Sequence, residues 1–168
     1  EKMSKSLGNF FSASDCFRLV EPEAVRYFML TSHYRAPLHL DWTEDAAGQV
    51  ARFPQIEECE RRVEYLYATR LRLLDIPQER IDRGDTRVDP ELRSFAGRLR
   101  DVLDDDLNMP VALAAVAELL KRVNDACDVA SRKKGKIGGG MLDAMQQALE
   151  LIARVLGLGL DAGQALLA

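Results

Sequence analysis

Hydrophobic residues recur at steps of three and four along most of the chain, which is the spacing of one face of an α-helix. The two longest stripes repeat the same steps and comprise Leu113, Val116, Leu120, Val123 and Cys127, then Leu142, Met145, Leu149, Ile152 and Leu156. A glycine-rich connection, residues 133–140, separates them. Two such stripes predict an antiparallel pair of helices, the first ending near Ser131. Gly157 and Gly159 predict the end of the second.

Shorter stripes predict further helices nearer the start of the chain. Pro22 and Pro90 can each open a helix, because proline is tolerated in the first helical turn. The apolar positions that follow them are Val25, Phe28 and Met29 in the first case and Leu92, Phe95, Leu99 and Val102 in the second. Ser12 or Ser14 can cap a short helix that runs to Leu19.

The segment from Thr43 to Leu74 has the composition of a helix, but Pro54 interrupts it. A proline in the interior of a helix costs roughly 3 kcal/mol. We therefore predict a short helix over residues 43–52 and a longer one over residues 55–74.

Other stretches lack a helical stripe. Residues 75–89 mix proline, glycine and charged residues and are predicted to form a loop. The acidic run at 104–106 ends one helix, and Asn108 can cap the next, with Pro110 in its first turn. Residues 38–42 are the only β-like stretch in the sequence.

The pattern as a whole predicts an all-α fold. We expect a helical bundle over residues 43–168, preceded by a short loop–helix region over residues 1–42. With 168 residues, 47% of them apolar, the chain can bury a sizeable core. It contains no run of about 18 apolar residues, so the sequence predicts no membrane span.

Composition also limits the chemistry. Because the net charge is −4, any RNA contact would need a local basic patch rather than overall charge. Cys16, Cys59 and Cys127 lie far apart and are typical of reduced thiols, which predicts a cytoplasmic protein. With two histidines and no Cys-x-x-Cys, we predict no metal site in this chain.

The strongest candidate for chemistry is the first stretch of the chain, Lys2-Met3-Ser4-Lys5-Ser6-Leu7-Gly8-Asn9. Two lysines supply point charge, and serine hydroxyls with a glycine-relaxed backbone supply hydrogen-bond donors for phosphate oxygens. A loop of this kind can close onto a polyphosphate when the substrate arrives. A Lys-x-x-Lys pair by itself would also fit an ordinary basic tail.

The order of these residues resembles the second signature loop of class I aminoacyl-tRNA synthetases. The resemblance implies that the loop binds Mg-ATP through Lys5, Ser4 and Ser6 and stabilises the transition state of amino-acid activation. It also implies a catalytic role for Lys5, the lysine nearest the phosphates in that family, with Lys2 assisting.

Later motifs resemble cysteinyl-tRNA synthetases in particular. They are, in chain order, Val25-Arg26-Tyr27-Phe28, Ser32-His33-Tyr34-Arg35 and Asp104-Asp105-Asp106-Leu107-Asn108-Met109-Pro110. The resemblance implies that residues 43–168 are the helical, anticodon-binding bundle of such an enzyme and that residues 1–42 contact the tRNA stem. Cysteine tRNA is the implied partner, with no role for DNA or a membrane.

The resemblance further implies a longer enzyme, of which this chain is the C-terminal part beginning at the signature loop. ATP and cysteine would be bound together with an upstream catalytic domain, where we also expect zinc. We expect the chain alone to be inactive in amino-acid activation. Two alternatives stay open: the related ligase that joins cysteine to glucosaminyl-inositol, and a non-catalytic helical interaction module.

Basic side chains are the candidates for tRNA contact. They are Arg26 in the second helix, Arg70 and Arg72 near the end of the long helix, and Arg132, Lys133, Lys134 and Lys136 in the glycine-rich loop. Internal hydrogen bonding would also account for an arginine such as Arg26, and a basic loop can be plain solvated surface.

Overall fold

The computed structural model of the protein describes residues 12–159. The helices in this part are α1 (Ala13–Cys16), α2 (Pro22–Leu30), α3 (Pro54–Leu74), α4 (Pro90–Asp104), α5 (Met109–Ser131) and α6 (Gly139–Leu156). The strands are short: β1 (Thr43–Glu44), β2 (Val50–Arg52), β3 (Ile81–Asp82) and β4 (Ile137–Gly138). The all-α prediction is confirmed, since the short strands lie only in the connections between helices.

Local sequence accounts for where the helices start. Ser12 caps α1 by accepting a hydrogen bond from the backbone N–H of Asp15 at 3.2 Å, while the Asp15 carboxylate accepts the Ser12 N–H at 3.0 Å. Prolines occupy the first turn of α2, α3, α4 and α5, where the missing N–H costs nothing. Asn108 caps α5 as predicted, accepting the Val111 N–H at 3.4 Å. Helix α1 ends at Cys16, however, short of the predicted Leu19.

The helix predicted over residues 43–52 is wrong, because this segment is an antiparallel hairpin of β1 and β2. The Asp45 carboxylate accepts the backbone N–H groups of Ala47 and Gln49 at 2.8 and 2.9 Å, which closes the turn. Gly48 follows with φ 73°, a left-handed conformation that glycine adopts without strain. The hairpin places Pro54 at the start of α3. The predicted long helix therefore exists, but it begins at Pro54, one residue earlier than predicted.

Helices α3 to α6 form a four-helix bundle. Helix α5 packs mainly against α3 and α4, and α6 packs mainly against the same two helices. Helices α3 and α5 are parallel. Tyr65 and Thr69 contact Asn124 of α5, whereas Arg72, which lies further along α3, contacts both Asn124 and Asp128, which lies further along α5. Helices α5 and α6 run in opposite directions, as predicted, but they occupy diagonal corners of the bundle and do not form the predicted adjacent pair.

The two diagonal connections meet at one end of the bundle. Strand β3 from the α3–α4 connection pairs in parallel with β4 from the α5–α6 connection, with Ile81 opposite Ile137. The guanidinium of Arg80 donates to the carbonyls of Arg132 and Lys133 at 3.0 and 2.9 Å. Segments that the sequence predicts as loops are thus tied to each other and to the end of α5.

A single hydrophobic core joins the bundle to the region that precedes it. On α2 the buried side chains are Ala24, Tyr27 and Phe28, and they pack with α3. Within the bundle, Val123 and Ile152 are wholly buried. Across residues 12–159, none of the helices combines the length and apolar character that crossing a membrane would need.

Candidate functional site

The first candidate site lies where the segment after α2 meets the turn between α4 and α5. We call residues 31–35 the elbow. The Tyr34 hydroxyl donates to Asp106 Oδ1 at 2.6 Å, and Arg35 Nη2 donates to the same oxygen at 3.0 Å. Arg35 Nε also donates to the Tyr34 hydroxyl at 2.7 Å. Two motifs more than 70 residues apart in sequence are thereby joined through one carboxylate.

His33 completes this junction and has a defined tautomer. Its Nδ1 accepts the backbone N–H of Arg35 at 3.3 Å, so Nε2 carries the proton that it donates to the Asp106 carbonyl at 3.1 Å. The imidazole stacks on the Tyr34 ring with centroids 4.8 Å apart. The bond to Asp106 raises the pKa of the Tyr34 hydroxyl, which therefore remains a donor at neutral pH.

The turn that supplies Asp106 has an unusual backbone. Asp106 and Leu107 both have positive φ, 55° and 52°, a left-handed conformation that is uncommon for residues other than glycine. Aspartate tolerates it better than leucine does. The turn aims the Asp106 side chain at the elbow and leaves Tyr34 60% exposed on the surface, with the Arg35 guanidinium 5.3 Å from its ring centroid.

Two of the arginines predicted to contact tRNA are engaged within the fold. Arg26 lies against the C-terminal end of α6, so close that a Cβ on Gly157 would come within 2.7 Å of its Nη1. Arg72 donates to Asn124 Oδ1 and forms an ion pair with Asp128, bridging α3 and α5. Arg72 thus has hydrogen-bond partners within the bundle, and Arg26 lies close to the backbone at the end of α6.

The remaining basic candidates differ in setting. Arg70 is partly buried near the Tyr67 hydroxyl. The side chains of Arg132, Lys133 and Lys134 are exposed, and their loop is anchored by Arg80. Lys136 in the same loop is exposed as well.

A cleft of about 610 Å³ opens between α2, α3 and α5. Tyr27 and Thr31 line it from α2 and its end, and Pro110, Leu113, Ala114, Ala117 and Leu120 line it from α5. The wall on α3 carries Glu58, Arg61, Arg62 and Tyr65. Thr31 is the first residue of the elbow, and Pro110 lies just after the turn that supplies Asp106, so the cleft continues from this junction along the bundle.

The sequence pattern does not predict a functional role for the α3 wall of this cleft. Arg61 and Arg62 are adjacent and lie among glutamates, a mixed-charge pattern that predicts an ordinary solvated face. Tyr65 is 48% exposed although it lies one position from the buried Leu66. The only available signal was an aromatic residue on a charged helix face, at i+3 and i+4 from two arginines.

The predicted ATP-binding residues Lys2, Ser4, Lys5 and Ser6 lie outside the described part of the chain. Within residues 12–159, no three histidine, cysteine or acidic side chains come together as a metal site would require. Cys16, Cys59 and Cys127 are buried free thiols, and burial raises the pKa of each.

Comparisons with known proteins match the chain at both ends. The model of the class I (C) tRNA synthetase catalytic domain matches residues 1–52, and that of the DALR domain matches residues 98–161. The cysteine–tRNA ligase of Anaeromyxobacter dehalogenans is 36% identical over 168 residues, covering 99% of this chain and 31% of the relative. That of Alkalilimnicola ehrlichii is 35% identical over 172 residues, covering 97% and 32%. The Geobacter sp. (strain M21) relative is 31% identical over 162 residues, covering 94% and 30%.

The two family models, in this order on a helical chain, define a class I tRNA synthetase. Within that class, the chain belongs to the cysteine–tRNA ligase family. It spans about three tenths of the length of the curated relatives that it matches.

Proposed function

We propose that the chain is the tRNA-binding, C-terminal part of a cysteine–tRNA ligase, which joins cysteine to its tRNA with ATP through a cysteinyl-adenylate intermediate. The observation that carries this proposal is the succession, within one chain, of a synthetase catalytic-domain match and a DALR-domain match. The relatives named above are cysteine–tRNA ligases, which supports cysteine as the amino acid.

In this proposal the two ends of the chain have different roles. Lys2, Ser4, Lys5 and Ser6 bind the phosphates of Mg-ATP, and the helical bundle holds the tRNA. The elbow contributes to the tRNA-holding part, since Tyr34 and Arg35 donate hydrogen bonds to Asp106 at the turn between α4 and α5. A rigid junction of this kind supports correct placement of the tRNA acceptor end relative to the loop.

Lys5 carries the chemical prediction. Adenylate formation builds negative charge on the departing pyrophosphate, and a lysine that contacts it mainly in the transition state lowers the barrier without tightening ground-state binding equally. In the proposed ligase, Lys5→Ala should raise the barrier by about 2.7–4 kcal/mol, slowing adenylate formation about 100- to 1000-fold. Lys5→Arg should restore little, because a planar guanidinium is not a compact ammonium.

Pre-steady-state measurement of cysteinyl-adenylate formation in the ligase tests this role, with Lys133→Ala as a lysine control distant in sequence. A Lys5→Ala enzyme with a normal rate of this step, or with weaker cysteine binding as its only defect, would remove Lys5 from the mechanism.

Binding measurements test the function of the chain itself. Fluorescence anisotropy should show that the chain binds a cysteine tRNA transcript, while cysteine-dependent pyrophosphate exchange by the chain alone should be absent. If the chain does not bind tRNA and the ligase instead joins cysteine to glucosaminyl-inositol, the proposed function is wrong and the function is that of the related enzyme.

A further inference from the structure

We propose that the cleft between α2, α3 and α5 is a docking site for RNA, in which Arg61 and Arg62 hold backbone phosphates and Tyr65 stacks on a base. This inference rests on the proposed function, since it takes tRNA as the partner and identifies a surface for it. None of these three residues was among the basic candidates that the sequence suggested.

The charge of the α3 wall favours an anionic ligand. Arg61 and Arg62 share one carboxylate, Glu58, whose oxygens lie 2.5 Å from Arg61 Nη2 and 3.4 Å from Arg62 Nε. Glu57, the neighbouring carboxylate on α3, is paired with Arg52. The charged residues that line the cleft are therefore one carboxylate and two guanidinium groups, which leaves the lining with a net positive charge on a chain whose net charge is −4. Both arginine side chains are more than half exposed, which leaves donors free to form paired hydrogen bonds with a phosphate.

The Tyr65 ring is suited to stacking on a base, because it is both exposed and held in place. The side chain is 48% exposed, yet its hydroxyl accepts a hydrogen bond from Asn124 Nδ2 at 3.0 Å. A ring that is held before the ligand arrives loses little conformational entropy on stacking. Nucleic-acid-binding proteins use such aromatic side chains as platforms for single bases.

A buried network holds Asn124 in the orientation that Tyr65 needs. Its Nδ2 also lies 2.7 Å from Thr69 Oγ1 and 3.0 Å from the Leu120 carbonyl, so its two hydrogens are shared among three acceptors, Tyr65 included. Its Oδ1 faces the guanidinium of Arg72, which can only donate, so the amide cannot be reversed without losing that bond. The network thus links the interior of the bundle to the position of the exposed ring.

The floor of the cleft fits a nucleotide as well. It is built by Pro110, Leu113, Ala114 and Ala117, and the two alanines are exposed. Small apolar side chains between a tyrosine and two arginines leave room for a ribose and the flat face of a base. The cleft therefore combines apolar floor, aromatic wall and cationic rim, which is the composition of a single-strand or unstacked-base site.

The first test removes the charges. We expect Arg61→Gln with Arg62→Gln to weaken binding of a cysteine tRNA transcript at least tenfold and to reduce the slope of log K against log salt by about two. The matched control is Arg93→Gln with Arg98→Gln, which removes two charges from the exposed face of α4, where Arg98 is also paired with a glutamate. The control should lower the salt slope by less than one.

The second test separates stacking from charge. Tyr65→Leu should weaken tRNA binding about 5- to 150-fold, the range that loss of one stacked base produces. Tyr65→Phe keeps the stacking ring but loses the hydroxyl's bond to Asn124, so it should weaken binding by less than Tyr65→Leu does. At the exposed Ala114, lysine should strengthen binding and glutamate should weaken it. Thermal unfolding of each variant checks that the fold is retained.

The outcomes distinguish this proposal from the one on which it rests. If the unchanged chain binds tRNA but the cleft variants bind like the control pair, the cleft proposal is overturned and the proposed function stands. If the unchanged chain does not bind tRNA, both are overturned. If a polyglutamate peptide displaces tRNA at equal concentration of negative charge, and the Tyr65 variants have no effect, the cleft takes acidic peptides and the RNA assignment is wrong.

Discussion

Asn124 is a polar residue placed in the core between α3 and α5, 9% exposed. It survives there because each of its groups has a partner: Tyr65, Thr69 and the Leu120 carbonyl for the amide nitrogen, and Arg72 for the oxygen. A buried polar network of this kind favours one packing arrangement only while all its members are satisfied. Removing the central member should therefore cost more than the loss of one hydrogen bond.

We predict that Asn124→Ala lowers the free energy of unfolding by about 1–3 kcal/mol, because Thr69 and Arg72 lose a buried partner. Urea denaturation followed by circular dichroism measures the change. The neighbouring Asp125→Ala, at an exposed position of the same helix, should change stability by less than about 0.5 kcal/mol. Equal stabilities for the two variants would show that the network does not stabilise the bundle.

Asp85 gives a prediction about pH. Arg87 donates to both of its carboxylate oxygens, at 2.9 and 2.8 Å, and these bonds lower the pKa of Asp85 to about 2. A carboxyl whose folded pKa lies below its unfolded value of about 3.9 stabilises the fold above that unfolded pKa. This contribution is lost as the pH falls from about 4 to about 2.

Carbon NMR titration of the Asp85 carboxyl should give a midpoint near pH 2 in the parent chain. Arg87→Gln should move that midpoint upward, toward the ordinary value, whereas Arg93→Gln on α4 should leave it unchanged. A midpoint near 4 in the parent would mean that the ion pair does not persist in solution.

At the scale of elements, two glycines that lie in helices occupy opposite environments. Gly97 lies in the middle of α4 with open space where a Cβ would project. Gly140, in the first turn of α6, faces the α3–α4 connection, and a Cβ there would lie 2.4 Å from the Thr86 carbonyl oxygen. Its N–H also donates to the Asp85 carbonyl at 3.0 Å, which holds the two connections together.

We therefore predict opposite signs for the same substitution. Gly97→Ala should raise the free energy of unfolding by about 0.5–1 kcal/mol, because alanine is the better helix former. Gly140→Ala should lower it by about 1–3 kcal/mol, because the backbone of Thr86 must move to admit the methyl group. Thermal unfolding of both variants decides it, and a neutral Gly140→Ala would show that the contact between the connections is loose.

The sequence predicts elements well where the signal is local. Proline in the first turn and Asn108 as a cap gave helix starts that the structure confirms, because both act within one turn of backbone. The sequence does not predict the β1–β2 hairpin, because its alanines favour a helix and the signal for a turn is confined to Asp45 and Gly48. The contact of Asp106 with Tyr34 was beyond reach as well, since it depends on how α2 and the α4–α5 turn pack.

At the scale of the whole molecule, hydrogen bonds near both ends of α2 attach the region before the bundle to the bundle. At the elbow, Asp106 binds Tyr34 and Arg35. At the other end of α2, the Glu23 carboxylate accepts hydrogen bonds from the Tyr67 hydroxyl and from the Gly159 N–H, each at 2.7 Å. Hydrophobic stripes mark which face of each helix is buried but not which helix it meets, so neither attachment nor the diagonal placement of α5 and α6 could be read from the pattern.

These attachments and the shared core bear on a division at residue 42 that the sequence suggests. Phe28 of α2 is 6% exposed and packs in the same cluster as α3 and the rest of the bundle. We predict that residues 12–159 unfold as one cooperative unit, so that Phe28→Ala destabilises helices α3 to α6 as well as α2. The expected loss is about 3–5 kcal/mol, the usual cost of truncating a buried phenylalanine.

Two optical signals measure this coupling. Trp42 is the single tryptophan of the chain and packs partly buried against the core, so its fluorescence reports on the segment next to the elbow, while far-ultraviolet circular dichroism reports mainly on the bundle. For a single unit, Phe28→Ala shifts both urea midpoints together.

Met29→Ala, on the same helix at a position 60% exposed, should shift neither by more than the equivalent of about 0.5 kcal/mol. A Phe28→Ala chain whose dichroism midpoint stays at the parent value while the fluorescence midpoint falls would instead show that the region before the bundle unfolds as a separate domain.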